Sequence, residues 1–260
     1  MPGAVAALGV DVHFQPDATT AGGRSVIGAI ADEGCWRTQF ETRTSNGGLT
    51  AFEGGDRWRW ESRLFAGAYD DAHPADRPAY GALRLAEAPY GSAPRFGSAH
   101  LRLRAVVLDR TTLCFPDSVF EPAAVGTTER AGAVLDALER VRLEDPLDRY
   151  VEAHVHGGIE LRRDVDAIVL DPSFRGTAIE DAAAGSGVPV AWHPGYELAA
   201  DRLPSLAAYR GQEVVETAVW IAADRPLTPA SLGRALRAAP LDPRLARRVW
   251  HLLAAHGRAG

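Results

Sequence analysis

Several short segments of this sequence alternate apolar and polar residues, a pattern that predicts β-strands and so requires the fold to contain a sheet. In the clearest, HLRLRAVVL, Leu101 and Leu103 share one face of a strand and the arginines between and after them share the other. Turns rich in Gly, Pro and Asn separate it from TQFETRT, LTAFE, DRWRWESRLF and YGALRL. Residues 38–120 are therefore predicted to form short strands, each with one face in the core and the other towards solvent or a ligand.

Further strands and helices are predicted on both sides of this region. Residues 5–14 form a mostly apolar run typical of a strand, and SVIGAIADEG has helical spacing and a glycine stop. A helix is predicted over residues 127–142. It is followed by strands in YVEAHVHGGIEL, VDAIVLD and VPVAWHPGYEL, with a short helix in IEDAAAGSG before the last of them. Residues 201–260 are mostly helical in pattern.

These patterns predict an α+β fold with mixed, mostly antiparallel sheets of short strands, flanking helices and a helical C-terminal segment. The chain of 260 residues, 46% of them apolar, is long enough to bury one large core or two modest ones. We expect a mixed α+β domain of catalytic type over residues 1–200. Residues 201–260 are expected to form a helical appendage packed on that domain.

The sequence contains no lysine, so every positive side chain is an arginine or a histidine. This excludes reactions that need a Schiff-base or P-loop lysine, and with them pyridoxal-phosphate enzymes, lysine-dependent aldolases, P-loop phosphotransferases and ordinary protein kinases. The net charge of −6 and the lack of a domain-sized basic stretch argue against an obligate nucleic-acid partner. Local arginine-rich stretches at residues 57–63 and 95–104 favour a small molecule that carries phosphate.

Cysteine usage and the N-terminal sequence bear on where the protein works. Cys35 and Cys114 are far apart and form no CxxC motif, which argues against a zinc ribbon and a disulfide framework. PGAVAALGVDVHF lacks the charged region and sustained apolar core of a signal peptide, and no later run approaches the length of a membrane span. We therefore expect a cytoplasmic protein with no membrane partner.

Candidate ligand-binding residues concentrate between Gln39 and Ser118, where glycines occur beside guanidinium, aromatic and hydroxyl groups. Strand alternation in GGDRWRWE would place Arg57, Arg59 and Glu61 opposite two tryptophans. That face is either a salt-bridged exposed surface or a guanidinium fork for phosphate or carboxylate. RPAYGAL and RFGS each combine an arginine, an aromatic residue and a glycine that lets the backbone approach a ligand.

A second candidate group lies in VEAHVHGG, where Glu152, His154 and His156 occupy alternate positions and would share one face of a strand. Three interpretations remain open: a zinc or iron site, a solvated strand face, and a carboxylate that does chemistry while the histidines set its environment. His13 and His193, each beside an aromatic residue, could complete a site. No GxSxG or GxGxxG motif supports a hydrolase of the nucleophile-elbow type or a Rossmann domain.

Four runs of the sequence resemble a bacterial family known only as domain of unknown function 3626: QFETRTSNGGLTAFEGGDRWRWE, RPAYGALRL, APRFGSAHLRLR and RTTLCFPDS. The resemblance extends over most of residues 10–200. Members of that family often read HFHPD where this chain has HFQPD, with Gln15 in place of the second histidine. This departure argues against a metal site built on the N-terminal strand.

The order and spacing of Arg77, Ser118 and Glu152 resemble the ADP-ribosyltransferases of the arginine, serine, glutamate type. In that family the arginine holds the diphosphate of NAD, the hydroxyl organises the pocket and the glutamate lies on a late strand. The resemblance implies that Glu152 stabilises the oxocarbenium-like centre formed when nicotinamide leaves the ribose. Tyr150 departs from the family, which usually has Glu or Gln two residues before its catalytic glutamate, and the Ser-Thr-Ser motif is missing.

Taken together, these features predict an NAD-consuming transferase that uses a small-molecule nucleotide and acts on an unknown protein or peptide acceptor. Glu152, His154 and Ser118 are the predicted catalytic residues. The predicted nucleotide-binding residues are Arg57, Arg77, Tyr80, Gly81, Arg95 and Ser98, with Tyr80 or Trp192 stacked on nicotinamide. No metal is expected on this interpretation. The alternatives are a metal-dependent hydrolase or oxygenase, with zinc or iron bound by His154, His156 and His13 or Glu152, and a non-enzymatic peptide-binding module.

Overall fold

The structure of the protein is a computed structural model that describes residues 8–44, 50–120, 122–239 and 241–258. Its β-strands are β1 (Gly9–Phe14), β2 (Cys35–Trp36), β3 (Ala79–Arg84), β4 (Ala99–Leu103), β5 (Thr111–Phe115), β6 (Ala124–Thr127), β7 (Glu152–Val155), β8 (Ile159–Glu160), β9 (Val165–Leu170) and β10 (Val190–Trp192). Its α-helices are α1 (Val26–Glu33), α2 (Gln39–Thr42), α3 (Asp56–Leu64), α4 (Gly132–Arg140), α5 (Leu161–Asp164), α6 (Ala178–Gly185), α7 (Ala207–Arg210), α8 (Gln212–Ala222), α9 (Pro229–Ala238) and α10 (Pro243–His256).

Most of the strands belong to a single sheet. Within the described ranges this sheet has eight strands in the order β10-β9-β4-β1-β3-β7-β5-β6, and β2 pairs with β8 separately. Neighbouring strands of the large sheet are antiparallel except β9 and β10, which are parallel. The predicted α+β fold with a mostly antiparallel sheet is therefore confirmed.

One face of the large sheet forms the main hydrophobic core. Side chains at alternate positions of each strand point to this face, and β1 contributes Val10, Val12 and Phe14, all almost fully buried. They pack with residues from the helices α1, α4 and α6, such as Ile27 and Val134. Burial of this apolar surface is the main contribution to the stability of the sheet.

The opposite face of the sheet is polar and is nevertheless buried. Cross-strand pairing places His13 beside His100, Tyr80 beside His154, and Glu152 between Ala82 and Cys114. Trp60 of α3 covers part of this face, with its ring centroid 5.2 Å from that of His154. Polar groups that lose contact with water must find partners within the protein, so this face demands specific hydrogen bonds.

The C-terminal helices pack on the sheet domain through a second hydrophobic core. This core includes Leu232 of α9 and Val249 and Trp250 of α10, together with Leu147 and Tyr196 from outside the helical segment. The indole Nε1 of Trp250 also donates hydrogen bonds to the carbonyl oxygens of Pro94 and Arg95, at 3.0 and 3.1 Å. The C-terminal helices are thus fastened to the loop that precedes β4.

The strands predicted in TQFETRT and DRWRWESRLF are wrong, because these segments form helices α2 and α3. A capping box between Thr38 and Glu41 begins α2. In α3 the buried residues are Arg57, Trp60 and Glu61, whose spacing of three and four is helical. Arg59 is therefore exposed and does not share a face with the other two charged residues. The predicted strand LTAFE is also absent over residues 50–53, and residues 45–49 lie outside the described part of the chain.

Two other predicted boundaries also differ from the structure. The predicted strand HLRLRAVVL ends at Leu103 as β4, because residues 105–110 form a 3-10 helix, and β5 begins after that helix at Thr111. The helix predicted to begin at Thr127 begins at Gly132, because Thr127 instead ends β6 and pairs with Thr112 of β5. Residues 5–7 of the predicted first strand lie outside the described residues, and β1 begins at Gly9.

Replacement of Trp250 by alanine should lower the free energy of unfolding by about 3–5 kcal/mol, since it removes a buried ring and the two hydrogen bonds to the 94–95 loop. Trp220→Ala on α8 is the matched control, because 56% of that side chain is exposed. The control should change the free energy of unfolding by about 0.5 kcal/mol or less. Urea denaturation followed by circular dichroism measures both. Equal effects of the two substitutions would contradict the packing of α10 on the sheet domain.

Candidate functional site

A cavity of about 530 Å³ lies beside the polar face of the sheet. Its volume is in the range of sites for small molecules. Six residues of the cavity wall were singled out in the sequence as candidate site residues, and they come from β1, α3, β3, β7 and the 3-10 helix that follows β5. They are His13, Arg57, Tyr80, Gly81, Ser118 and Glu152.

Glu152 is a buried carboxylate whose oxygens already have partners. Its Oε1 lies 3.0 Å from Nε2 of His154 and 3.8 Å from Sγ of Cys114, and its Oε2 accepts a hydrogen bond of 3.4 Å from Ser118. Burial raises the pKa of Glu152, but the neighbouring His154, Arg57 and Ser118 lower it more, so the pKa lies below its ordinary value. Glu152 is therefore ionised at neutral pH and places a negative charge on the cavity wall.

Arg57 is a buried cation with unused hydrogen-bond donors. Its side chain is 97% shielded from solvent, and its guanidinium carbon lies 4.0 Å from the centroid of the Tyr80 ring. Its Nε and Nη1 have no hydrogen-bond partner among the described residues. Such donors are costly to bury, so their position in a cavity wall favours a ligand that supplies acceptor oxygens.

Arg77 does not belong to the described wall of the cavity, and its guanidinium contacts other side chains of the protein. Its Nη1 lies 2.7 Å from Oε2 of Glu61, both side chains are buried, and its guanidinium stacks on Phe40 at 4.1 Å. Tyr80 donates a hydrogen bond of 2.6 Å to the other oxygen of Glu61. Arg77 thus balances the buried charge of Glu61, and Arg57 is the arginine available to a ligand.

Three other residues predicted to contact the ligand instead interact with side chains of the protein. Arg95 forms ion pairs with Asp145 and Asp148, and Ser98 donates a hydrogen bond of 3.0 Å to Gln15. Trp192 is covered by the guanidinium of Arg175, 4.8 Å from the ring centroid. None of the three belongs to the described wall of the cavity.

Gly81 lines the cavity but is required chiefly by strand packing. A Cβ atom at this position would lie 2.7 Å from Cγ1 of Val10 and 2.8 Å from the carbonyl oxygen of Asp11. Both contacts are too short for a side chain, so glycine allows β3 to approach β1 closely.

A chain of hydrogen bonds leads away from Glu152 through the histidines of VEAHVHGG. Nδ1 of His154 lies 3.0 Å from Oγ1 of Thr112, which is also 3.0 Å from Nε2 of His156, and Nδ1 of His156 lies 2.6 Å from the hydroxyl of Tyr69. With both rings protonated at Nε2, each contact has one donor and one acceptor, and every donor points towards Glu152. The predicted proximity of Glu152, His154 and His156 is therefore present, with Thr112 joining the two rings.

His13 also lines the cavity, but it belongs to a different part of the polar face than His154. It lies on β1, which β3 separates from β7, and its ring stacks on that of His100 with 4.9 Å between centroids. Its Nδ1 donates to the carbonyl oxygen of Gly97 at 3.1 Å, and its Nε2 accepts from the backbone of Ala93 at 3.2 Å. Both ring nitrogens of His13 are thus occupied, which argues against a metal site shared with His154.

His100 and Cys114 are site neighbours that carry no sequence motif. Both belong to alternating runs, HLRLR and TTLCF, so their orientation towards one face could be read from the pattern. Their partners could not, because the register that places His100 beside His13 and Cys114 beside Glu152 is set by pairing between distant strands.

Comparison with known proteins identifies the family of the chain. The model of a family described as "Protein of unknown function (DUF3626)" matches residues 9–144 and 139–251. The chain belongs to this family. Among curated proteins no match was found.

Membership of DUF3626 confirms the family resemblance seen in the sequence and extends it into the C-terminal helices. The matched residues include all six candidate site residues in the cavity wall. Among the described helices of this DUF3626 chain, none has the length and apolar character required to cross a bilayer.

The two buried arginines of the DUF3626 chain should respond differently to substitution. Arg77→Met leaves Glu61 as an unpaired buried charge and should lower the free energy of unfolding by about 3–5 kcal/mol. Arg57→Met removes a cation with unused donors. It loses the contact with Tyr80 and the attraction to Glu152, which keeps His154 and Ser118 as partners, so its effect should be less than about 2 kcal/mol. Urea titrations of both variants measure the difference. A loss at Arg57 as large as that at Arg77 would show that Arg57 has a structural role.

His13 should remain neutral well below the pH at which an exposed histidine titrates. Burial, the largest influence, lowers its pKa from 6.5 to about 4. The unfolded chain binds a proton at His13 more readily than the folded chain does. The contribution of neutral His13 to the free energy of unfolding is therefore complete above pH 6.5 and is lost as the pH falls towards 4. An NMR titration of the ring should give a midpoint near 4. A midpoint near 6.5 would contradict the burial of His13.

Proposed function

We propose that this protein cleaves the bond between nicotinamide and ribose in NAD and transfers ADP-ribose to an acceptor. The observation that carries the proposal is the presence of an ionised carboxylate, Glu152, and a donor-rich cation, Arg57, in the wall of one cavity. NAD has complementary features, since its ribose develops positive charge during cleavage and its diphosphate is anionic. The order of Ser118 and Glu152 in the sequence, which resembles that of ADP-ribosyltransferases, agrees with this assignment.

Glu152 supplies the electrostatic part of the mechanism. Loss of nicotinamide leaves an oxocarbenium-like ribose, and a carboxylate held in place stabilises that charge more than water does. Ser118 and His154 each contact one oxygen of Glu152 and so orient the carboxylate. Because Glu152 is only 5% exposed, its interaction with the developing charge is weakly screened.

Arg57 is the group that holds the diphosphate. Its unpartnered Nε and Nη1 can donate charge-assisted hydrogen bonds to phosphate oxygens. The resemblance to ADP-ribosyltransferases assigned this role to Arg77, but Arg77 is paired with Glu61. Aromatic side chains in the cavity wall, Trp36, Tyr80 and Phe96, offer surfaces for the adenine and nicotinamide rings.

The proposed reaction balances without another reactant. The electron pair of the broken bond leaves with nicotinamide, and a lone pair of the acceptor attacks the anomeric carbon of the ribose. The acceptor proton passes to Glu152 and from there to solvent. In the absence of a protein or peptide acceptor, water takes this position and the product is free ADP-ribose.

Replacement of Glu152 by glutamine should lower the rate of nicotinamide release from NAD by roughly 10²–10³-fold, because it keeps the shape of the side chain and removes the charge. Binding of NAD should persist, since Arg57 is unchanged. Chromatography of released nicotinamide measures the rate, and isothermal titration measures the binding.

Glu160→Gln is the matched control, because Glu160 is exposed on β8 and is absent from the described cavity wall. This control should have the rate of the unmodified protein. The proposal is wrong if millimolar NAD produces no heat and no nicotinamide, or if the Glu152 variant retains full activity.

A further inference from the structure

Three side chains of different ligand types converge on the polar face of the sheet. Cross-strand pairing places Cys114 of β5 beside Glu152 of β7, and His154 follows two residues later on the same face. Sγ of Cys114 lies 3.8 Å from Oε1 of Glu152 and 3.9 Å from Nε2 of His154, and these last two atoms are 3.0 Å apart. A thiol, an imidazole and a carboxylate thus surround one point.

The spacing of these three atoms suits a metal ion. A point equidistant from them lies about 2.1 Å from each in their common plane, and a small displacement out of the plane lengthens all three distances. Bonds of Zn²⁺ to protein nitrogen and oxygen are about 2.0–2.2 Å long, and bonds to sulfur about 2.3 Å. The ligand atoms therefore need to move by only a few tenths of an ångström.

The surroundings of His154 are also those of a metal ligand. Its Nδ1 is held by Thr112 Oγ1 at 3.0 Å, and the same oxygen contacts His156. Hydrogen bonding at one ring nitrogen fixes the orientation of a histidine whose other nitrogen binds metal. For Nε2 of His154 to bind a metal ion, Nδ1 of His154 must carry the ring proton and donate a hydrogen bond to Thr112. Each hydrogen bond from Thr112 through His156 to Tyr69 would then have its donor and acceptor exchanged.

We propose that Cys114, Glu152 and His154 bind one zinc ion through Sγ, Oε1 and Nε2. This ligand set differs from the one expected from the sequence. The ring nitrogens of His156 contact Thr112 and Tyr69 and not Glu152 or Cys114, and His13 lies on another strand. Glu152 connects the site to the cavity, which gives the ion a path of entry and supplies water as a fourth ligand. Sites with three protein ligands and a water are a common arrangement for zinc.

The proposed ion goes beyond the NAD reaction and does not depend on it. Both roles use the negative charge of Glu152, so the metal-bound protein should be inactive towards NAD. Zinc binds cysteine as the thiolate, so it must displace the thiol proton of Cys114. Binding should therefore weaken as the pH falls.

Titration of the purified, chelator-treated protein with Co²⁺ and then Zn²⁺, in the absence of NAD, tests this site. Cobalt bound to a thiolate gives a charge-transfer absorption in the near ultraviolet, and this band should saturate at one ion per chain and disappear when zinc displaces cobalt. Cys114→Ser should abolish the band. It should also weaken zinc binding by more than the roughly 10–100-fold loss typical of an outer partner.

Cys35→Ser is the matched control, since Cys35 is the other free cysteine and lies on β2, outside the cluster. It should leave the band and the affinity unchanged. Absence of the band from the unmodified protein overturns the proposal even if the Cys114 variant fails to fold. A band that survives Cys114→Ser, or that disappears with Cys35→Ser, overturns it as well. Because NAD is absent, failure of this test leaves the proposed NAD reaction standing.

Discussion

Pairing of β7 between β3 and β5 is the interaction on which the candidate site depends. It places Glu152 and His154 at the centre of a buried polar face, where each must be satisfied by neighbours from adjacent strands. Thr112, Cys114 and Ser118 supply those neighbours from β5 and the loop that follows it. The apolar face behind them is filled by helices, so the strands cannot change register without exposing the core.

The buried charged groups on this face of the sheet differ in whether they have partners within the protein. Glu61, Arg77 and Tyr80 form a group in which each charged atom has a partner, as expected of polar groups that serve the fold. Arg57 is equally buried yet retains unused donors beside the cavity. This difference between the two arginines favours Arg57 as the one that a ligand would contact.

Much of the fold was predictable from local pattern. Alternation in HLRLR and VEAHVHGG identified β4 and β7 because one face of each strand packs in the apolar core and the other face is polar. The same pattern indicated which residues share a face. The alternation in DRWRWESRL was misleading, because two arginines and two tryptophans also fit a helix in which only Arg57, Trp60 and Glu61 are buried. Which arginine pairs internally, and that Cys114 lies beside Glu152, depend on contacts between distant segments, which no local pattern contains.

The indole of Trp250 bonds to the carbonyl oxygens of Pro94 and Arg95, and the neighbouring Ala93 and Phe96 belong to the cavity wall. A ligand that ordered residues 93–96 would therefore link occupancy of the cavity to docking of the last helix. A small molecule that orders this loop also holds α10 against the sheet, so it would protect the C-terminus from proteases. By the same linkage, a partner that pulled α10 away from the sheet would weaken binding of the ligand. Contacts made at α10 would then regulate the cavity from a distance.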